Sequence, residues 1–246
     1  MNRVQLIVLA AGKGTRMQST LPKVLQLAGH QTMIEHVLDA IEASQSDRAP
    51  ILVVGFLGGL VREVCGERAE YCVQEEQLGT GHAVSCARNI LSGNTDTVFV
   101  IYGDHPLLSA VTINQLLDEH HAKGNMLTLA TTFARDDFAD AFAGFSRILR
   151  DDGGRIINSI EVKDATPEQL KIEEVNPAYM VFDRAWLFKY LDGLSTDNAQ
   201  QEYYLTDLVG MAFREKVPLS GVVIPAHEAL GANTLDQLVF LEQYIR

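Results

Sequence analysis

Lys13, Arg16 and Lys23 stand around two glycines, Gly12 and Gly14, just after the apolar run Leu6-Ile7-Val8-Leu9-Ala10-Ala11. The run reads as a buried strand and the glycine-punctuated basic loop as its exit. Glycine has no Cβ, so Gly12 and Gly14 let the backbone take positive φ and approach a ligand closely. Successive backbone N–H groups in such a loop form an anion-binding concavity. The chemistry on offer is phosphate binding, and a strand feeding a cationic glycine loop suits a nucleoside triphosphate. Two common phosphate motifs do not fit. The dinucleotide fingerprint needs a small residue where Met17 stands. The P-loop needs glycine at Met17 and lysine at Gln18. An ordinary strand-to-helix turn is the plain alternative, though turns seldom gather two glycines and three cations.

A second chemical signal is Asp104, in Tyr102-Gly103-Asp104-His105-Pro106 after the apolar run Val98-Phe99-Val100-Ile101. A carboxylate at a strand end faces the ligand crevice of a parallel sheet. Mg²⁺ takes hard oxygen ligands of this kind together with substrate phosphates. A lone Asp there also serves as a turn or cap residue.

The elements that must position these groups alternate through the first half. Thr32-Met33-Ile34-Glu35 is a capping box, and Met33, Ile34, Val37, Leu38 and Ile41 form an apolar stripe at helical spacing. Ile51–Val54 is a fully apolar strand, expected where both sheet faces are covered. A helical pattern follows around Leu60–Cys65, then a short strand Tyr71–Gln74. After Gly79-Thr80, Ala83, Val84, Ala87, Ile90 and Leu91 share a helical face. This βαβαβ run predicts a parallel sheet with right-handed crossovers, and places Gly12, Gln74 and Asp104 at strand C-terminal ends. The second half predicts a strand at Leu127–Thr132, a mobile loop over Arg135–Gly144, and a hairpin turning at Asp151-Asp152-Gly153-Gly154. A short helix is predicted from Thr166 with Pro167 at its first position, then a strand over Ala178–Phe182 and a final helix capped by Thr234.

The 246 residues fit one large α/β domain, 1–246, and 47% hydrophobic residues suffice for its core. A net charge of −12 argues against nucleic-acid and anionic-membrane partners, so the basic loop is a local exception suited to a small anion. No apolar run approaches the roughly 20 residues of a membrane helix. The N-terminal run is too short, and its continuation too basic, for a signal peptide. Three cysteines without ligand spacing point to reduced thiols and a cytoplasmic location.

The run L-A-A-G-K-G-T-R-M followed by L-P-K resembles the signature of the sugar-phosphate nucleotidyltransferases, above all the N-acetylglucosamine-1-phosphate uridylyltransferase domain. The resemblance covers nearly all of the chain. It implies a Rossmann-like mixed, mostly parallel sheet flanked by helices, with residues 1–110 mainly binding nucleotide and 111–246 mainly binding sugar phosphate. It implies Mg²⁺-dependent transfer of uridylyl from UTP to a sugar-1-phosphate, with release of pyrophosphate. Arg16 and Lys23 would contact the phosphates; Lys13 is a weaker candidate. Leu9, Ala10, Ala11, Gly12 and Gly14 would line the nucleotide. Gln74–Ala83 resembles the family's Q-x-x-Q-L-G-T-G-H-A, which assigns Gln74, Gln77, Gly79 and Thr80 to the base; a primary amide both donates and accepts, as the imide edge of uracil requires. His82 is read as structural rather than as a general base. The family's strand-G-D motif puts Asp104 on the metal, and Gly231-Ala232-Asn233 matches its second ligand, Asn233. Tyr102, Gly103, Ser146, Glu161 and Asn176 fall on the sugar side. Glu161 lies in a match to E-x-K-D-A-T, and Glu202–Asp207 matches E-Y-Y-x-T-D.

Two departures sit on the sugar side. Phe145-Ser146-Arg147-Ile148 stands where the family has Y-G-R-I, so a Cβ and a hydroxyl intrude. Pro177-Ala178 stands where the family has T-G, and Pro177 removes a backbone donor. Crowding of this size typically costs ~1–3 kcal/mol, enough to change sugar preference. The same chemistry on another sugar phosphate or nucleotide, and a catalytically silent nucleotide-sugar binder, stay open as alternatives. The left-handed β-helix of the bifunctional enzymes has no counterpart in these residues, so the resemblance implies uridylyl transfer alone. The family's trimers go with that β-helix, so a monomer or small homo-oligomer is expected.

Overall fold

The computed structural model describes residues 3–17, 19–91 and 93–245. The elements in chain order are β1 (Val4–Ala10), the short pair β2 (Leu27–Ala28) and β3 (Gln31–Thr32), α1 (Met33–Glu42), β4 (Ile51–Val54), α2 (Gly58–Cys65), β5 (Glu70–Val73), α3 (Thr80–Cys86), β6 (Thr97–Tyr102) and α4 (Ala110–Lys123). They continue with β7 (Leu127–Phe133), β8 (Ser146–Arg150), β9 (Ile156–Ile160), β10 (Glu174–Asn176), β11 (Met180–Asp183), α5 (Arg184–Leu191), α6 (Asp207–Arg214), β12 (Leu219–Val223) and α7 (Leu235–Glu242).

The sheet is mixed, in the order β5-β4-β1-β6-β11-β7-β10-β8-β9, with β12 added on β7. β5, β4, β1 and β6 run parallel; β11 then joins β6 and β7 antiparallel. Every residue of β1 is buried, because alternate side chains enter two different cores. Leu6 and Val8 face the layer of α1, α4 and α7. Ile7 and Leu9 face the layer of α3, α5 and α6. The Thr32–Glu35 capping box forms, with Thr32 N–H donating to Glu35 at 2.8 Å. Among the described residues no helix is long and apolar enough to cross a membrane.

Four expectations change. Arg135–Gly144, though mostly exposed, is anchored at one point: Phe142 is fully buried and stacks on Phe138 and Phe145, at centroid distances of 5.6 and 4.9 Å. Spaced aromatics in a segment without periodicity gave no helical signal, yet they anchor it. The helix expected from Thr166 is a single 3₁₀ turn, Gln169–Lys171, although Thr166 and Gln169 exchange capping bonds of 2.8 and 3.3 Å. The helix through Ala83 ends at Cys86, short of Ile90 and Leu91.

The strand expected from Ala178 begins at Met180, because Ala178 takes φ +65°. β10 and β11 are one strand on β7 broken by this bulge. Val175 faces Thr132 and Met180 faces Leu129, so four residues on one strand span two on the other. β11 pairs with β6 on its outer side, whereas β10 pairs with β8. The bulge therefore separates β6 from the β8–β9 hairpin and opens the sheet beside the end of β6.

Candidate active site

β1, β4, β5 and β6 point the same way, so the loops leaving them share one edge of the sheet. A cavity of about 220 Å³ lies there. Leu9, Ala10, Ala11 and Gly12 line it from β1, and Gln74, Gln77, Gly79 and Thr80 from the loop after β5; Lys23, Tyr102 and Asp104 complete it. Gly14, at φ +62°, admits Lys23, since a Cβ there would lie 2.7 Å from the Lys23 Cβ. Gly12 takes no positive φ, contrary to expectation, and its Cβ direction is open.

The loop after β5 is braced from afar. Gly81 N–H donates to Tyr203 O and Tyr203 N–H to Leu78 O, both at 2.8 Å, and Leu205 N–H donates to Thr80 Oγ1 at 3.0 Å. Gly79, at φ +103°, lies flat on Tyr203; a Cβ would meet its carbonyl oxygen at 2.7 Å. The Gln74 amide donates to Gly79 O and faces His82 Nδ1, each at 3.1 Å. His82 does not line this cavity; it orients Gln74. Gln77 donates to Ala11 O at 2.5 Å and so ties the two walls together.

A second cavity of about 410 Å³ adjoins the first and shares Lys23, Thr80, Tyr102, Asp104 and Glu202 with it. Arg16 lines its cationic end, and Ser146, Glu161 and Asn176 its far end. The Ser146 hydroxyl, expected to crowd the space, is instead turned to Glu161 Oε1 at 2.8 Å. Asn176 Oδ1 accepts from Ala178 N–H at 2.7 Å and caps the bulge. Gly103 lines neither cavity; a Cβ there would lie 2.9 Å from Ile34 Cδ1 and 3.2 Å from Val24 Cγ1, so its role is packing.

Between the cavities, Lys23 Nζ donates to Asp104 Oδ2 and, at 2.9 Å, to Asn233 Oδ1. Asn233 precedes α7, whose cap Thr234 accepts from Gln237 N–H, while Gln237 Oε1 accepts from Asn233 N–H at 2.8 Å. Burial pushes the Asp104 carboxyl up, but the Lys23 and His105 charges and its hydrogen bonds outweigh that and hold it below the usual carboxylate range. A carboxylate and an amide oxygen aimed at one cationic point fit Mg²⁺, which takes few protein ligands and completes its shell with water and phosphate oxygens. Among the described residues no cluster of three or more His, Cys, Asp or Glu forms a closed metal centre.

His105 belongs here too. Burial pushes its pKa down against the opposing Asp104 charge. Its Nδ1 lies 2.7 Å from the Tyr179 hydroxyl, which donates to Glu228 O at 2.8 Å. The tyrosine proton being committed, Nδ1–H is the donor to Tyr179. Gly231 makes the room: a Cβ there would sit 2.4 Å from the ring. His105 has no assigned role in the sequence, and Tyr179 carries no signal there because its partners are far along the chain; Thr206, which reaches Glu161 at 2.7 Å, lies in the E-Y-Y-x-T-D match.

A parallel-sheet crevice with a glycine loop, two cations and a carboxylate–amide pair defines a nucleotidyltransferase domain. Residues 6–204 match the MobA-like NTP transferase domain, and the chain belongs to that family. It is 43% identical over 252 residues, all of this chain and 53% of the relative, to a protein of Heliobacterium modesticaldum named bifunctional protein GlmU. It is 40% identical over 228 residues, 92% of this chain and 48% of the relative, to the like-named protein of Enterococcus faecalis. The chain thus spans about half the length of the curated relatives it matches. Rv0371c of Mycobacterium tuberculosis shares the fold, at TM-score 0.65 and 15% identity over 98% of both chains.

Proposed function

We propose that the chain transfers the uridylyl group of UTP to a sugar-1-phosphate, N-acetylglucosamine-1-phosphate first among them, using Mg²⁺. The observation that carries this reading is the meeting of the two cavities at Lys23, Asp104 and Asn233. The choice of UTP and N-acetylglucosamine-1-phosphate follows the resemblance of L-A-A-G-K-G-T-R-M and Gln74–Ala83 to the uridylyltransferase motifs. The smaller cavity takes the nucleotide, with Gln74, Gln77, Gly79 and Thr80 on the base. The larger takes the sugar phosphate, with Glu161, Asn176 and Ser146 at the ring.

A phosphate oxygen of the sugar-1-phosphate forms a bond to the α-phosphorus of UTP, and the bond from that phosphorus to the β-phosphate oxygen breaks. Pyrophosphate leaves with the electron pair. The nucleophile is already ionised near neutral pH, so no protein base is required. Two anions must approach, and Arg16 and Lys23 offset their repulsion and the charge that builds on pyrophosphate. Arg16 offers a planar fork and Lys23 a compact charge. Mg²⁺ bound by Asp104 and Asn233 supplies Lewis-acid polarisation of the phosphates. Gly12 keeps a side chain out of the smaller cavity, and Gly14 makes room for Lys23.

Pyrophosphate release across a grid of nucleoside triphosphates and sugar-1-phosphates, with and without Mg²⁺, tests the reading. Release with UTP and N-acetylglucosamine-1-phosphate supports it. Release with another pair moves the specificity and keeps the chemistry. UTP binding without release for any pair replaces it with a silent nucleotide-sugar binder.

A further inference from the structure

Asn176, Ser146 and Glu161 stand in one lateral row. Ser146 on β8 lies opposite Asn176 on β10. Arg147 lies opposite Ile160, which brings Ser146 beside Glu161 just past the end of β9. Ser146, Asn176 and Thr206 are buried, and the row lines the larger cavity at the end away from Arg16 and Lys23.

The protons in this corner can be assigned. A hydroxyl has one proton. That of Ser146 goes to Glu161 Oε1 at 2.8 Å, and that of Thr206 to the same oxygen at 2.7 Å. A carboxylate oxygen offers about two lone-pair sites, so Oε1 is filled and Oε2 is left for a ligand. Ser146 Oγ, its proton committed, can only accept. One Asn176 amide proton goes to Ser159 Oγ at 3.1 Å, and the amide oxygen is taken by Ala178 N–H, which leaves one N–H. Glu161 and Ser146 thus offer acceptors to the cavity and Asn176 a donor, beside the Tyr204 hydroxyl, which lines the same cavity and is buried without a partner.

We propose that Ser146 and Thr206 are positioning residues that set the specificity of this cavity. They lock the Glu161 carboxylate into an acceptor corner that selects a ring carrying a free hydroxyl donor there. The inference rests on the sugar-phosphate reading above and narrows it to hydroxylated rings, against deoxy or ether-blocked ones. Fluorine in place of the selected hydroxyl removes the proton while keeping the size, and leaves Oε2 facing no donor. Sites built to bond a hydroxyl reject such analogues strongly, here by about 10- to 100-fold.

The test is calorimetric binding of UDP, UDP-N-acetylglucosamine and its 3-, 4- and 6-deoxyfluoro analogues to wild type, Ser146→Ala, Ser146→Thr, Thr206→Val and Glu161→Gln. Wild type should bind the sugar nucleotide tighter than UDP and lose about 10- to 100-fold with fluorine at one position. Ser146→Ala and Thr206→Val should each lose about 3- to 10-fold toward the sugar nucleotide, with UDP affinity unchanged. Ser146→Thr should restore most of the loss, and the fluorine penalty should shrink in Glu161→Gln. Equal binding of all three analogues, no gain of the sugar nucleotide over UDP, or a Ser146→Ala loss shared equally by UDP would overturn the proposal. If these differences appear but no pair releases pyrophosphate, the transferase reading fails and the acceptor corner stands.

Discussion

Lys23 and Asp104, 81 residues apart in the chain, form an ion pair where the two cavities meet. The same ammonium reaches Asn233, 210 residues further on. The side chains are 15% and 6% exposed, so water screens the pair weakly. One lysine therefore links the phosphate-binding loop, the end of β6 and the entry to α7, and the cation meant for phosphate holds both candidate metal ligands in place.

Lys23→Ala and Asp104→Ala are each expected to lower pyrophosphate release by at least ~10²-fold. The double variant should lose no more than the worse single one, because groups acting as a unit are not additive. A steady-state assay decides this; independent losses that multiply would separate the two residues. The folded pKa of Asp104 is depressed, so its stabilisation is present above the unfolded carboxylate value and is lost as pH falls through the folded one.

Gly81→Ala should raise the KM for UTP and cost about 1–3 kcal/mol of stability. Its Cβ would stand 2.6 Å from Leu194 Cδ1 and 3.0 Å from Tyr203 O. Urea unfolding should show a lower midpoint with an unchanged slope. An unshifted midpoint would mean that the loop after β5 is not braced on Tyr203.

Tyr179→Phe keeps the ring and removes the hydroxyl between His105 and Glu228 O. A buried N–H and a carbonyl are left unpaired, at about 1–3 kcal/mol. For a chain of this size that lowers Tm by roughly 2–4 °C per kcal/mol. A Tm equal to wild type would remove the hydroxyl from the account of the site.

Burial, then the Glu161 and Asp164 charges, push the Asp207 carboxyl up to about 6. Its folded value exceeds its unfolded one, so the protonated form favours the fold. That contribution is complete below the unfolded value of 3.8 and is lost as pH rises through about 6. After discounting for partial solvent exposure, the effect is about 1–2 kcal/mol. Asp207→Asn should flatten the pH dependence of stability between about 4 and 6. Denaturant midpoints at several pH values check this, and an unchanged slope would clear Asp207.

Local physics made the nucleotide side readable from the chain alone. A strand buried on both faces is mostly apolar, so β4 and the centres of β1 and β6 show as apolar runs. Ligands gather at their C-terminal ends, so Gly12, Gln74 and Asp104 could be placed in one crevice before any contact was known. Gly14 was legible because it takes the positive φ that glycine tolerates, whereas Gly79, also at positive φ, was marked only by the resemblance of its segment. The caps at Thr32 and Thr234 followed from three-residue spacings.

Tertiary structure decided the larger cavity, because its determinants join residues without sequence proximity. Ala178 takes a left-handed conformation that no side-chain pattern announces, and this bulge opens the sheet between β6 and β8. Phe142 stacks on Phe138 and Phe145, and Phe138 in turn meets Phe240 of α7, so a segment without periodicity contributes a residue to the core. Ser146 read as an intruding hydroxyl; only the approach of Glu161 and Thr206 shows where its proton goes. The meeting of Lys23, Asp104 and Asn233 is likewise a product of chain crossing, since a hydrogen bond forms wherever the fold brings donor and acceptor together, regardless of sequence separation.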